Sequence, residues 1–316
     1  MRIFDGHCDV LYKMWDRGEH TLFHEKADEL HSSFGRLKNG GVKVQTMAIY
    51  VPHKVPVESR LSAGLHMVDI FYENILSQRE DIVLIKGVEE LNQLEHNEDK
   101  LYILLHIEGA EPLKGDLTQL RTFHRLGVRS LGFTWNYRNE AGDGVKERSP
   151  SGLSHFGLAL LKEMNRLNMA VDISHLSEHG FWDCLDHTSQ PIMASHCNAR
   201  TLCDHPRNLY DEQIKAIFSQ QGVIGINFVP YFLAKREQVD IKDILNHVEY
   251  MLSLGGENYI GFGSDFDGIS QTVTGMEHSQ KFSDLIEECL KHYSESIVQK
   301  LCFDNWKQYY MRLWKD

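Results

Sequence analysis

Eight short apolar runs recur along this 316-residue chain, and the stretches between them carry apolar residues at helical spacing. The runs cover residues 2–4, 42–51, 101–107, 128–134, 169–173, 191–194, 222–228 and 259–262. Near-continuous apolar runs of this length are typical of parallel strands that are buried on both faces. Helices are predicted over residues 65–76, 155–167, 211–218 and 241–254, and Ser177 just before Glu178 marks a further helix start.

This alternation of strands and helices predicts the α/β class. Eight strand–helix units in a chain of this length indicate a TIM (β/α)8 barrel, which needs about 250 residues. A doubly wound open sheet is the structural alternative. No Pro/Gly/Ser-rich linker divides the chain, so we expect a single domain over residues 1–316, with added C-terminal helices from about Lys281.

The net charge and the cysteine content indicate which binding partners and which cellular compartment to expect. The formal net charge of −12 disfavours a polyanionic ligand, because nucleic-acid binding depends on Lys and Arg at the phosphates. The six cysteines form no CxxC pair and no disulfide framework, which favours reduced thiols. The N-terminal sequence MRIFDGHCDV lacks a secretory pattern, and no apolar segment is long enough to span a bilayer. We therefore expect a cytoplasmic protein that binds neither nucleic acid nor membrane.

Residue types that bind metals follow several of the predicted strands. His7 and Asp9 close the first strand. Since side chains alternate across a strand, these two share one face and Cys8 points to the other. An HxD pair in a barrel mouth can hold one metal ion, although the same two residues also occur by chance in turns.

Three more strand ends carry candidate ligands. Glu108 follows the third run, where it would either bridge two metals or cap the surface, while His106 lies deeper and is interpreted as a core histidine. His175 and His196 end two consecutive strands, so they would converge in the mouth of a barrel. Imidazole nitrogens together with carboxylates suit Zn²⁺.

The last predicted strand runs into GFGSDFDG. Asp265 is placed to face the metals as a ligand, a general base or a turn former, whereas Asp267 is interpreted as structural because Asp beside Gly commonly forms turns. The six candidates thus follow the first, third, fifth, sixth and eighth strands. All these strand ends meet at one end of a barrel, so the combination predicts a metal site.

In order and spacing, the motifs DGHCD, IEG, DISH, SHCNAR…HPRN and GFGSDFDG resemble the membrane (renal) dipeptidase family of zinc peptidases. The match runs from Asp5 to Gly268. The resemblance implies an amidohydrolase-type barrel, two Zn²⁺ per chain and hydrolysis of small dipeptides. It further implies that one zinc is bound by His7 and Asp9, the second by His175 and His196, and that Glu108 bridges both.

The same resemblance implies roles for three residues that would contact the substrate or the attacking hydroxide. Asp265 matches an acid/base aspartate that serves a hydroxide shared by the two zinc ions. Arg207, within HPRN, matches the arginine that holds the terminal carboxylate of the substrate; from the residues alone it reads as a surface charge. Trp135, within FTWN, stands where mammalian members have a histidine that contacts the substrate carbonyl. Trp has one N–H donor and no titratable charge, so it either donates a hydrogen bond or reshapes the pocket.

Two alternatives stay open at this stage. One is another amidohydrolase-type enzyme, such as a lactonase, a phosphotriesterase-like enzyme or an N-acyl-amino-acid hydrolase. Many of these bridge their metals with a carboxylated lysine, and here Glu108 holds that position instead. The other is a non-catalytic, metal-stabilised barrel, which would need neither Asp265 nor Arg207. A homodimer is an open alternative for the assembly.

Overall fold

A computed structural model describes residues 1–18, 23, 24 and 29–315. Its strands are β1 (Ile3–Cys8), β2 (Val42–Tyr50), β3 (Ile82–Leu84), β4 (Leu101–Glu108), β5 (Val128–Gly132), β6 (Ala170–Asp172), β7 (Met193–Ala194), β8 (Val223–Asn227) and β9 (Ile260–Gly263). Its α-helices are α1 (Val10–Arg17), α2 (Phe34–Asn39), α3 (Arg60–Ile70), α4 (Val88–Gln93), α5 (Leu117–Arg125), α6 (His155–Arg166), α7 (Glu178–His187), α8 (Asp211–Ser219), α9 (Pro230–Leu233), α10 (Ile241–Ser253), α11 (Phe282–His292), α12 (Glu295–Gln299) and α13 (Asn305–Leu313).

The parallel strands close into a barrel. The hydrogen-bonded order runs β2, β1, β9, β8, β7, β6, β5, β4, and a further pairing of β2 with β4 completes the ring. Tyr50 on β2 pairs with Glu108 on β4, which pairs with Gly132 on β5. This closed ring of eight strands confirms the predicted TIM barrel and excludes the open sheet.

Each predicted apolar run overlaps one barrel strand, but β1 is longer than predicted. The run ends at Phe4, whereas the strand continues through Asp5 to Cys8. Asp5 is fully buried, and its carboxylate accepts hydrogen bonds from the Gln45 side chain and from the backbone and hydroxyl of Ser264. These bonds offset the cost of burying a carboxylate. His7 therefore lies within the strand rather than after it.

Strand β3 was not predicted. It has only three residues and pairs with Leu101–Ile103 at the start of β4, outside the closed ring. The helices agree better with the sequence pattern, and Ser177 is the N-cap of α7, where its hydroxyl accepts the Gly180 N–H. The predicted start of that helix is therefore confirmed.

The C-terminal helix α13 covers the end of the barrel opposite the strand carboxyl ends. Its Trp306 is fully buried and donates a hydrogen bond from Nε1 to the Phe262 carbonyl of β9. Tyr310 stacks against Phe4 of β1 at a ring-centroid distance of 5.9 Å. Trp306, Tyr310 and Phe4 belong to an apolar cluster that is separate from the main hydrophobic core. Its other members include Val44, Tyr102, Leu104, Met193, Val223, Phe303 and Tyr309. Side chains of α13 thus form part of the core at the end of the barrel opposite the strand carboxyl ends.

All six cysteines are free, in agreement with the predicted reduced thiols, and all six are buried. Among the described residues, every helix is either too short or too polar to cross a bilayer.

Candidate active site

The polar residues singled out in the sequence meet at the carboxyl ends of the barrel strands. His7 lies within β1, Asp9 follows it directly, and Glu108 is the last residue of β4. His175 and His196 come three and two residues after the ends of β6 and β7, while Asp265 comes two residues after β9. Because these ends form one rim, the barrel brings together side chains that are up to 258 residues apart.

One half of the cluster surrounds His7. Its Nε2 lies 3.5 Å from Asp9 Oδ2 and 3.7 Å from Glu108 Oε1. Ligand atoms of His7, Asp9 and Asp265 lie within 4.8 Å of one another, a separation that a single metal ion could span. Two ligands of one tetrahedral zinc, each at about 2.0–2.1 Å, are separated by about 3.3 Å. The distances around His7 are close to that value.

The other half is formed by two histidines on neighbouring strands. His175 Nε2 lies 2.9 Å from Glu108 Oε1 and 2.9 Å from His196 Nε2. His196 Nε2 is 3.5 Å from the same Glu108 oxygen. Glu108 Oε1 therefore lies between the Nε2 atoms of three histidines, as expected of a carboxylate shared by two metal positions.

The buried carboxylates of the cluster would be stabilised by additional positive charge. Burial, together with the Asp9 carboxylate, raises the pKa of Glu108 well above its usual range. Burial alone would lower the pKa of His7, but the Glu108 and Asp9 carboxylates outweigh it and raise that pKa to about 10. Among the described residues, His7 Nε2 and Asp9 Oδ1 are buried without a hydrogen-bond partner. Bound metal cations would satisfy these atoms and neutralise the carboxylates, so the donor set fits a metal centre.

Two further hydrogen bonds turn the histidine rings toward the cluster. His175 Nδ1 donates to Asn136 Oδ1 at 3.0 Å, and His196 Nδ1 donates to Ser195 Oγ at 2.7 Å. With the proton on Nδ1, each ring presents an unprotonated Nε2 to a metal. Burial also lowers the pKa of both rings well below the usual value, which favours the neutral form that ligates.

Asp265 faces the cluster from a strained backbone. Its φ of 64° lies in the left-handed region, and Asn227 Nδ2 donates to its Oδ2 at 3.0 Å. Burial and the nearby Asp9 carboxylate raise the pKa of Asp265 to about 6. Asp267 points elsewhere, because its carboxylate accepts the backbone N–H groups of His31 and Ser32. That geometry fits the structural role predicted for Asp267.

A cavity of about 120 Å³ opens beside the cluster. Arg207 lines it, although the sequence pattern alone reads this residue as a surface charge. It is buried, and its guanidinium donates to the carbonyl oxygens of Ser174 and His196. Its Nε has no hydrogen-bond partner within the described part of the chain. Other residues around the cavity include Tyr12, Tyr50, Trp135, Val229, Tyr231 and Ile269.

Trp135 forms part of the aromatic wall of this cavity. Its ring centroid lies 5.4 Å from that of Tyr50 and 6.0 Å from that of His175, to which the ring is stacked. The indole therefore lies against a candidate ligand. His106, in contrast, is buried below the cluster, where Nδ1 bonds to Ser130 Oγ at 2.9 Å, as expected of a core histidine.

The sequence pattern missed the residues that orient the histidines. Asn136 follows Trp135 directly, and Ser195 directly precedes His196. Asp172 lies inside the predicted apolar run 169–173 and is the last residue of β6; a carboxylate is unusual there and was a signal that could have pointed to these residues. Its Oδ2 accepts from the Ser195 hydroxyl at 2.6 Å.

Comparisons with known proteins agree with this geometry. The model of the membrane dipeptidase family, peptidase family M19, matches residues 1–316. Dipeptidase aclJ of Aspergillus oryzae (strain ATCC 42149 / RIB 40) is 31% identical over 304 residues, which are 90% of this chain and 72% of that protein. An uncharacterised protein in the pqqA 5′ region of Klebsiella pneumoniae is 36% identical over 235 residues, or 69% of this chain and 84% of that protein.

A solved structure extends the similarity to the whole fold. The metallopeptidase of Rhodobacter sphaeroides superimposes with a TM-score of 0.93 at 29% identity, covering 99% of both chains. It was crystallised with a phosphinate mimic of the dipeptide L-Ala-D-Ala.

Proposed function

This chain belongs to the membrane dipeptidase family of metallopeptidases, peptidase family M19, and we propose that it hydrolyses its dipeptide substrates with two zinc ions held by the strand-end cluster. The observation that carries the proposal is the position of Glu108 Oε1, within 2.9–3.7 Å of the Nε2 atoms of three histidines. Family membership favours this activity over the lactonase, phosphotriesterase-like and non-catalytic alternatives. A cytoplasmic location and a homodimer stay predictions.

We assign the ligands by position. His7 and Asp9 would hold one zinc, His175 and His196 the other, and Glu108 would bridge them. Nitrogen and carboxylate oxygen donors are a common set for catalytic zinc, which keeps one position open for water or substrate. When bound, zinc polarises a carbonyl and lowers the pKa of water toward about 7.

Asp265 is proposed as the acid/base group. Asn227 holds its Oδ2, and Oδ1, for which the described residues provide no hydrogen bond, would face the reacting atoms. There the carboxylate accepts a proton from the attacking water and passes it to the leaving amine. Proton transfer by a positioned carboxylate is general acid–base catalysis, which typically contributes about 100- to 10,000-fold to the rate.

Arg207 is proposed to bind the terminal carboxylate of the substrate. Hydrogen bonds to two backbone carbonyls hold the guanidinium at the cavity wall. A guanidinium offers five N–H donors in a planar fork, which matches a carboxylate. Since the cavity is small, the carboxylate would lie one residue beyond the cleaved bond. This arrangement selects dipeptides over longer peptides.

The aromatic residues that line the cavity limit the size of the side chains that a substrate can carry. Tyr50 and Trp135 narrow the cavity of about 120 Å³ from one side. We therefore propose dipeptides with small side chains as substrates. Because the Rhodobacter sphaeroides structure holds a mimic of L-Ala-D-Ala, we extend the proposal to a D-residue at the C-terminal position.

A dipeptide panel tests this proposal. The zinc-loaded enzyme is assayed on L-Ala-L-Ala, L-Ala-D-Ala, L-Ala-L-Trp and the tripeptide L-Ala-L-Ala-L-Ala, with amine release as the readout. We expect both alanine dipeptides to be cleaved, the tryptophan dipeptide to be cleaved more slowly, and the tripeptide to be left intact. Cleavage of the tripeptide at the dipeptide rate would contradict the role of the terminal carboxylate.

A further inference from the structure

The Ser195 hydroxyl lies where both halves of the metal cluster can reach it. Its Oγ is 2.7 Å from Nδ1 of His196 and 3.4 Å from Nδ1 of His7. The side chain is fully buried. His196 belongs to one proposed zinc position and His7 to the other. The Ser195 oxygen therefore contacts the Nδ1 atom of one candidate ligand at each position.

The Ser195 hydroxyl donates its proton to Asp172. Asp172 Oδ2 lies 2.6 Å from Ser195 Oγ, a distance typical of a hydroxyl that donates to a carboxylate. The Ser195 oxygen is then left as an acceptor, and a hydroxyl oxygen has two lone pairs. Ser174 Oγ also lies 3.1 Å from Ser195 Oγ, but the Ser174 hydroxyl donates its own proton to Asp172 Oδ1. The lone pairs of Ser195 Oγ are therefore available to the Nδ1 atoms of His196 and His7.

Asp172 is itself held firmly. Its Oδ1 accepts three hydrogen bonds, from the Ser174 backbone at 3.1 Å, the Ser174 hydroxyl at 2.6 Å and the Ser195 backbone at 2.9 Å. The carboxylate therefore cannot rotate without breaking several buried bonds. Ser195 is fixed in turn, because both its backbone and its hydroxyl bind this one carboxylate.

We propose that Ser195 is a positioning residue shared by the two metal positions, fixing through Nδ1 the tautomer and orientation of His7 and His196. The inference rests on the proposed two-metal function. His175 is oriented independently, since its Nδ1 donates to Asn136. Loss of Ser195 should therefore weaken both metal positions, whereas loss of Asn136 should weaken one.

The test compares Ser195→Ala with Asn136→Ala as the matched control. Each protein is stripped of metal and titrated with Zn²⁺ against a chromophoric chelator, which yields two dissociation constants. Replacing a group that orients a metal-binding histidine typically weakens metal affinity by about 10- to 100-fold. For Ser195→Ala we expect a loss of this size at the His196 position and a smaller loss at the His7 position, where the contact is longer. For Asn136→Ala we expect one constant to change.

Two outcomes would overturn the proposal: wild-type constants in Ser195→Ala, or a loss confined to one position. Far-UV circular dichroism and thermal unfolding in saturating zinc show whether each variant is folded. Should Ser195→Ala fail to fold, Ser195→Cys has similar size but a weaker acceptor, and both of its constants should rise. Unchanged constants in that variant would also overturn the proposal. A wild-type chain that binds fewer than two zinc ions would instead contradict the proposed function itself.

Discussion

Glu108 shows how a single residue acquires its role from its surroundings. Its carboxylate is buried near two other acidic groups, Asp9 and Asp265, and burial disfavours the ionised form. Histidine nitrogens lie on several sides of one of its oxygens. Such a site is costly without cations and favourable with them, so the fold is expected to bind metal tightly.

The Asp265→Asn substitution tests the acid/base assignment. An amide keeps the shape of the side chain but cannot accept the proton, so we expect kcat to fall by about 100- to 10,000-fold while two zinc ions stay bound. Steady-state kinetics and metal analysis check both parts. Asp267→Asn is the matched control, because Asp267 also has a positive φ and, among the described residues, its carboxylate binds backbone N–H groups. It should lower stability and leave kcat unchanged; wild-type turnover in Asp265→Asn would contradict the assignment.

The Arg207→Lys substitution tests recognition of the substrate carboxylate. Lysine keeps the charge but has no planar fork, so we expect kcat/KM for L-Ala-L-Ala to fall by about 10- to 100-fold, the worth of a hydrogen bond to a charged group. A dipeptide amide, which has no terminal carboxylate, serves as the control substrate. The two enzymes should act on it at similar, low rates. An unchanged kcat/KM on the dipeptide would remove Arg207 from the site.

Sequence reasoning found the candidate metal ligands more readily than the residues around them. The candidate ligands stand at the ends of apolar runs, which is a local signal. Arg207 carries no such signal, because its burial depends on contacts with Ser174 and His196 that only the folded chain creates. The role proposed for Ser195 is equally non-local, since it depends on contacts with Asp172 and with His7, a residue 188 positions away.

At the level of strands and helices, burial decides what can be predicted. Barrel strands are buried on both faces and so appear as apolar runs. Strand β3 has three residues and pairs only with the start of β4, so it leaves no comparable pattern. The length of β1 also escaped prediction, because Asp5 looks like a turn residue until its partners Gln45 and Ser264 are known.

Ser177, the N-cap of helix α7, lies two residues after His175, so this helix start also bears on the site. The Ser177 hydroxyl accepts the Gly180 N–H, and the residue is buried. We expect Ser177→Ala to lower the free energy of unfolding by about 1 kcal/mol, the usual value of an N-cap. Ser219→Ala, at the exposed end of α8, should change it by less than about 0.5 kcal/mol. Urea unfolding measures both, and equal effects would contradict the capping role.

Across the whole molecule, the two ends of the barrel have separate tasks. The carboxyl ends of the strands carry the polar cluster, and the opposite end is filled by aromatic side chains of α13. Trp306 packs so closely on β1 and β9 that a side chain at Gly6 or Gly261 would collide with its ring. The alternation of strands and helices predicted the barrel, whereas this packing joins residues some 300 positions apart and left no pattern in the sequence.

Trp306→Ala should therefore affect stability rather than chemistry. Removal of a buried Trp typically costs about 3–5 kcal/mol, so we expect a marked fall in the midpoint of urea unfolding. Zinc-loaded protein that remains folded should keep most of its kcat. Trp306 packs on Gly6, the residue before His7, but among the described residues it has no hydrogen bond or ring contact with a candidate ligand. Trp306→Phe retains most of the ring and should lose less stability. A large loss of kcat in folded Trp306→Ala would show that the two ends are coupled.

The most direct test of the two-metal account is anomalous diffraction at the zinc absorption edge from crystals of the zinc-loaded chain. If two zinc ions are bound as proposed, two peaks are expected at the carboxyl ends of the strands, one beside His7 and Asp9 and the other beside His175 and His196. Each peak should lie about 2.0–2.2 Å from a Glu108 oxygen. A single peak, no peak, or two peaks that do not share Glu108 would contradict it.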